Sequence, residues 1–223
     1  MIDILNIRIF KFLYKFEFII YLLLTMKISI LSHNMLSDYL SAKNRKPQDY
    51  INYSKFLQKM INDNKIICLQ EIDINNYNKV CKCLENCFII CKFYNINNTM
   101  GLAIIIPKKL KYTINSYKII KFNYKHYNNI YQILNLQIDN KDLIIVNTHL
   151  PCVYKYTEVL KLLCKKIYNS IEKYKFKSII IAGDFNSFKE PIKVFKYFTP
   201  MLNENNIFTN WNYMNNKDRK SVV

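Results

Sequence analysis

The sequence predicts an α/β fold in which two β-sheets pack face to face beneath covering helices. Three observations carry that expectation. Short apolar runs with β-branched residues alternate with stretches of helical period. Five consecutive strand candidates between Phe88 and Thr148 have no helix among them, which disfavours the rival doubly wound parallel sheet. Several of the strand candidates end directly on Asn, Glu, His or Asp, the residue types that sheet ends deliver to clefts.

Residues 1–26 stand apart as a hydrophobic and basic extension, with the domain predicted over 27–223. The uncharged apolar run Phe18 to Leu24 is too short for a bilayer, which needs about 20 residues. No small-x-small cleavage site follows it, so no membrane span and no secretion are expected. Met26 as the natural start and an accessory apolar arm are both open readings.

Lys27–His33 reads as the first strand. Gln48–Asn62 has a helical period, with Tyr50, Ile51, Tyr53, Phe56, Leu57, Met60 and Ile61 apolar. Ile66–Gln70 is a short buried strand, and Asn76–Glu85 is predicted helical. Phe88–Tyr94 and Leu102–Pro107 form a strand pair, followed by strands at Tyr117–Phe122, Ile130–Ile138 and Leu143–Thr148. Lys155–Tyr174 is an amphipathic helix with Val159, Leu162, Leu163, Ile167 and Ile171 on one stripe. Ser178–Ala182 is a buried strand entering Gly183, and Pro191 opens a short helix to about Tyr197.

Composition bounds the rest. With only two glycines, Gly101 and Gly183, positive-φ turns must fall on Asn, which tolerates them best among the other residues. The 33 basic and 16 acidic residues give a net charge of +17, a field suited to a polyanion such as nucleic acid. An A/T-rich codon bias toward Lys, Asn and Ile accounts for the same excess without selection for binding. Seven cysteines, an odd number in a chain this long, imply no disulfide scaffold and point to a reducing, cytoplasmic-type compartment. Cys81, Cys83 and Cys87 are expected on a helix running into a strand containing Cys91, as small apolar residues. A zinc site would want paired C-x2-C units or histidines.

Four strand-end phrases carry the candidate chemistry. Ile179–Ala182 runs through Gly183 to Asp184, Phe185 and Asn186; alone, this could be an Asx turn. Ile66–Gln70 ends on Glu71, a costly place for a carboxylate unless it is paired or metal-bound, though it could also charge a helix N-terminus. Val146-Asn147-Thr148-His149-Leu150-Pro151 and Ser32-His33-Asn34-Met35-Leu36 are each compatible with ordinary strand ends. Together they are more specific. If Glu71 and Asp184 converge to about 4 Å, their repulsion is about 4 kcal/mol at an effective dielectric near 20, and a divalent cation between them removes it. Oxygen donors of this kind suit Mg²⁺ or Mn²⁺.

SHNML, LQE, GLAIII, NTHLP and GDFNS, in that order over Lys27 to Phe198, resemble the successive motifs of the endonuclease/exonuclease/phosphatase superfamily, with its deoxyribonuclease I-like fold. The NTHL and GDFNS forms look most like its deadenylase-type exonuclease branch. The resemblance implies a divalent-metal-dependent phosphodiester hydrolase acting on nucleic acid, RNA ahead of DNA. It implies Asn34 and Glu71 at the metal, His149 at the scissile phosphate, Asp184 orienting or activating the attacking water, and Asn186 binding phosphate or metal. Family members continue to an I-D-Y-I-type strand and a final S-D-H or S-x-H phrase. The histidines here are His33, His126 and His149, so that phrase has no counterpart and the expected domain is incomplete. A dead remnant with a basic binding surface, and a lipid phosphodiesterase or phosphatase of the same fold, are therefore the alternative readings.

Overall fold

The computed structural model describes residues 28–35, 46–94, 96–124, 127–150, 153–174, 178–186, 209–211 and 218–222. The extension at 1–26, Cys152 and the helix expected at 191–197 lie outside the described residues. In chain order the elements are β1 (Ser29–Asn34), α1 (Pro47–Asn62), β2 (Lys65–Gln70), α2 (Ile74–Lys79), β3 (Cys87–Phe93), β4 (Gly101–Pro107), β5 (Tyr112–Tyr124), β6 (Tyr127–Ile138), β7 (Lys141–His149), α3 (Val153–Ile171), β8 (Ser178–Asp184), β9 (Thr209–Trp211) and β10 (Asp218–Val222).

The strands form two mixed sheets. One has the order β1-β2-β4-β3; the other has β5-β6-β7-β8-β10-β9. β1 and β2 run parallel, as do β7 and β8, and the hairpin partners β3/β4, β5/β6 and β6/β7 are antiparallel. Because side chains alternate across a strand, each sheet splits its residues between two faces. Ile66, Cys68, Ile104 and Ile106 of one sheet meet Leu134, Leu136, Ile138, Leu143, Ile145 and Ala182 of the other in the central layer. On the outer faces, α1 sets Tyr50, Leu57 and Ile61 against Ile67, Leu69, Ala103 and Ile105. On the other side α3 sets Val159, Leu163, Ile167 and Ile171 against Tyr131, Ile133, Ile144 and Val146. The result is the expected helix–sheet–sheet–helix sandwich.

Several sequence expectations shift at the edges. Leu162, placed on the apolar stripe of α3, is exposed, and Leu160 and Cys164 take its place in the core. α1 likewise leaves Ile51 and Phe56 exposed. The helix expected over Asn76–Glu85 instead begins earlier and ends at Lys79, with a separate 3-10 turn at Cys81–Cys83. Asp73 fixes its start, its carboxylate accepting from the Asn76 backbone N–H at 2.7 Å. Val80 and Cys81 are drawn into the core and stop it. Cys87 consequently opens β3 rather than sitting on a helix.

β5 starts five residues before the expected Tyr117. A register shift between Ile114 and Ser116 breaks the period-2 pattern there, hiding the first half of the strand. Asparagine does supply the turns: Asn64, Asn86, Asn97, Asn98, Asn140 and Asn186 all take positive φ.

Gly183 is required by packing. A Cβ there would lie 2.0 Å from the carbonyl oxygen of Thr148, its register partner on β7. Only a residue without a side chain lets β7 and β8 run side by side at the point where both approach their ends.

Candidate functional site

β1, β2, β7 and β8 all end at the same edge of the sandwich. The pairings Asn34 with Gln70 and His149 with Asp184 set their last residues level within each sheet. Asn34 and Asp184 continue the inward-facing alternation of Ile30 and Ser32 on β1 and of Ile180 and Ala182 on β8. His149 does the same for Leu143, Ile145 and Asn147 on β7. All three therefore enter the mouth between the two sheets. Glu71 follows β2 with φ of 51°, an uncommon conformation for a non-Gly residue, and this turn aims its carboxylate at the same point.

The contacts are close and buried. Asn34 Nδ2 donates to Glu71 Oε1 at 2.8 Å and to Asp184 Oδ2 at 2.7 Å, so one amide bridges the two carboxylates. Asn34, Glu71 and Asp184 are all within 1% of complete burial. The Asn186 backbone N–H donates to Asp184 Oδ1 at 3.0 Å, and Leu150 N–H to the Asp184 carbonyl at 2.8 Å. Asn186 Nδ2 donates to the Leu150 carbonyl at 2.8 Å, which fixes the orientation of that amide, and lies 3.1 Å from His149 Nε2. His149 Nε2 is also 3.4 Å from Glu71 Oε1. The two neighbours make opposite demands on this nitrogen, since the amide needs its lone pair and the carboxylate needs a proton. On the other side of the ring, Tyr94 Oη stands 3.5 Å from Nδ1, and Asn129 Nδ2 donates to the His149 carbonyl at 2.6 Å.

One donor atom each from Glu71, His149 and Asp184 lies within 4.8 Å of the others. That is the separation of ligands around a single hard cation with bonds of about 2.0–2.6 Å. Two carboxylates buried within reach of one amide also form an environment that a divalent charge would relieve. The donor set fits such an ion. Among the described residues this is the one group of His, Cys, Asp and Glu so arranged, and the cysteines near Cys81 form none.

The structure thus brings together Asn34, Glu71, His149, Asp184 and Asn186, the five residues expected from the sequence. It adds Tyr94 and Asn129, which no motif marked. It also adds a buried amide cluster one layer below, built from Gln70, Gln132 and Asn147.

At the level of sequence, neither a protein-family model nor a curated protein matches the chain. Solved structures do. Zebrafish (D. rerio) TDP2 complexed with single-strand DNA product superposes with a TM-score of 0.60 at 16% identity, over 74% of this chain and 63% of that one. ANGEL2, described as a 2',3'-cyclic phosphatase in complex with adenosine-2',3'-vanadate, gives 0.60 at 23% identity, over 76% and 56%. The human Nocturnin catalytic domain with bound sulfate gives 0.60 at 18% identity, over 77% and 68%.

The chain has the deoxyribonuclease I-like fold of endonuclease/exonuclease/phosphatase proteins. It spans 63% of the zebrafish TDP2 chain and 56% of the ANGEL2 chain. Within this deoxyribonuclease I-like sandwich, the five residues sit at the end of the two sheets where β1, β2, β7 and β8 terminate. Among the described residues no helix is long and apolar enough to cross a membrane.

Proposed function

We propose that this chain is a divalent-metal-dependent phosphodiester hydrolase acting on nucleic acid, with RNA ahead of DNA, nearest the deadenylase-type branch of its fold. The observation that carries the reading is the convergence of Glu71, His149 and Asp184 at the mouth between the sheets, bridged by Asn34.

Glu71 and Asn34 would hold Mg²⁺ or Mn²⁺, the hard ions that oxygen donors favour, with a donor atom each of His149 and Asp184 in reach of the same ion. Bound there, the ion supplies Lewis-acid polarisation of the phosphate and neutralises developing charge. The remaining roles belong to the chain itself. Asp184, held by bonds to both carboxylate oxygens, would orient a water and take its proton as the water oxygen attacks phosphorus. The bond to the leaving oxygen breaks on the opposite side. Asn186 and His149 would bind the non-bridging oxygens, where negative charge accumulates. His149 is kept in place by Asn129 at its carbonyl and by Tyr94 beside Nδ1.

The nucleic-acid assignment is supported by the +17 charge and by the single-strand DNA and adenosine-2',3'-vanadate named for the TDP2 and ANGEL2 structures. RNA is favoured by the NTHL and GDFNS phrases and by the adenosine-2',3'-vanadate in ANGEL2, whose ligand carries a ribose.

The test is a substrate panel. Purified chain with Mg²⁺ or Mn²⁺ is offered labelled oligoribonucleotide, oligodeoxynucleotide, an inositol phosphate and sphingomyelin. Cleavage of RNA above the others, lost in Glu71→Ala and Asp184→Ala, is expected. Turnover of lipid headgroups alone would move the assignment to a lipid phosphodiesterase. Salt-sensitive oligonucleotide binding without cleavage under any metal would make the chain a binding remnant.

A further inference from the structure

One layer beneath the candidate site, the space between the sheets is polar. Elsewhere in this layer the buried positions are Ile, Leu, Cys and Ala. Here Gln70 of β2, Asn147 of β7 and Gln132 of β6 are fully buried, and Ser32 of β1 nearly so. Asn147 is the hub. Its Oδ1 accepts from Gln70 Nε2 at 2.8 Å. Its Nδ2 lies 3.1 Å from the Leu69 carbonyl, 3.0 Å from the Ala103 carbonyl and 3.0 Å from Gln132 Oε1, so its two protons are shared among three acceptors. Gln132 Nε2 in turn reaches the Ile90 and Leu102 carbonyls, each at 3.3 Å, and Tyr117 Oη at 3.1 Å. Gln70 Nε2 also donates to Ser32 Oγ at 3.2 Å and to the Cys68 carbonyl at 3.0 Å.

The pattern is directional and crosses from sheet to sheet. Side chains of β6 and β7 bind backbone carbonyls of β2, β3 and β4. Each of three members sits one or two residues before a site residue: Ser32 before Asn34, Gln70 before Glu71, Asn147 before His149. The hydrophobic effect is non-directional, whereas hydrogen bonds have narrow ranges of length and angle, and amides buried without partners are costly. Asn34 and Glu71 come from one sheet, and His149 and Asp184 from the other. Their mutual distances therefore depend on how the sheets are registered.

We infer that Asn147 is a positioning residue, which fixes the separation of Glu71 on one sheet from His149 and Asp184 on the other. This rests on the metal-dependent reading above. Groups supporting metal ligands typically change affinity or activity by about 10–100-fold when removed, and an error of about 1 Å in geometry costs on the order of 10²-fold in rate.

The experiment compares the full chain with Asn147→Leu, Gln70→Leu/Asn147→Leu and Glu71→Ala. Mn²⁺ affinity is measured by calorimetry, thermal midpoint by circular dichroism, and oligoribonucleotide cleavage by kcat and KM. Asn147→Leu should weaken Mn²⁺ binding by about 10–100-fold and lower kcat rather than raise KM. The double variant removes two amides that satisfy each other, so its midpoint should recover toward wild type. Its Mn²⁺ affinity should stay low. That split between stability and affinity is what a merely structural amide would not give. Should Asn147→Leu fail to fold, the double variant decides alone. Wild-type Mn²⁺ affinity in the double variant, with affinity lost in Glu71→Ala, overturns the positioning role and leaves the proposed function standing. A wild-type chain that binds no Mn²⁺ overturns both.

Discussion

At the scale of single residues, the candidate site separates side chains that could be named from sequence from those that could not. Glu71, His149, Asp184 and Asn186 each lie at or just after the end of a strand with a buried or partly buried apolar run, where a polar side chain has few structural reasons to stand, and Asn34 ends β1 level with Gln70. Tyr94 and Asn129 carry no such mark, because an aromatic or an Asn at a strand end is common in this chain. The cysteines behave as small apolar residues. Burial pushes the Cys68 and Cys91 thiols up to about 12. Cys81 is pushed up as well, by burial first and then by Cys91, Cys87 and Cys83 nearby. Raised values leave little thiolate near neutrality, the form that reacts, whereas Cys83 is exposed. Under native conditions at pH 8, iodoacetamide followed by peptide mass spectrometry should find Cys83 alkylated well before Cys68, Cys81 or Cys91. Rapid labelling of Cys68 would show that the central layer opens.

Among the elements, the β7–β8 pair does most to build the site, because it delivers His149 and Asp184 side by side. Its closeness depends on Gly183, whose added Cβ would meet backbone rather than a movable side chain. Gly183→Ala should therefore destabilise the fold by about 3 kcal/mol, at the upper end of overpacking costs. Urea unfolding would read this as a lower midpoint, and an unchanged midpoint would contradict the packing described. Element boundaries were less legible than element order. The start of β5 is masked by the irregularity after Ile114, and α2 is a short Asn-rich helix ended by burial of Val80 and Cys81, which its period does not announce. The amide cluster of Gln70, Gln132 and Asn147 was illegible for another reason. In an alternating strand, Gln or Asn reads as a solvent-facing position, and only the second sheet turns that position into an interior one.

For the molecule as a whole, the two-sheet sandwich was legible because five strands without an intervening helix leave few ways to bury both faces. What sequence spacing could not supply was depth. The site lies at the mouth of the inter-sheet layer, with residues from both sheets and with carboxylates almost completely buried. A site so placed holds its geometry through the packing of the entire sandwich, in a chain whose net charge is +17. The most direct test is a titration of metal-free chain with Mn²⁺ followed by electron paramagnetic resonance. The account predicts saturable binding at a site abolished by Glu71→Ala/Asp184→Ala, with the circular dichroism of the variant unchanged. Mn²⁺ binding that is absent in the wild type, or equal in the wild type and the folded double variant, would contradict it.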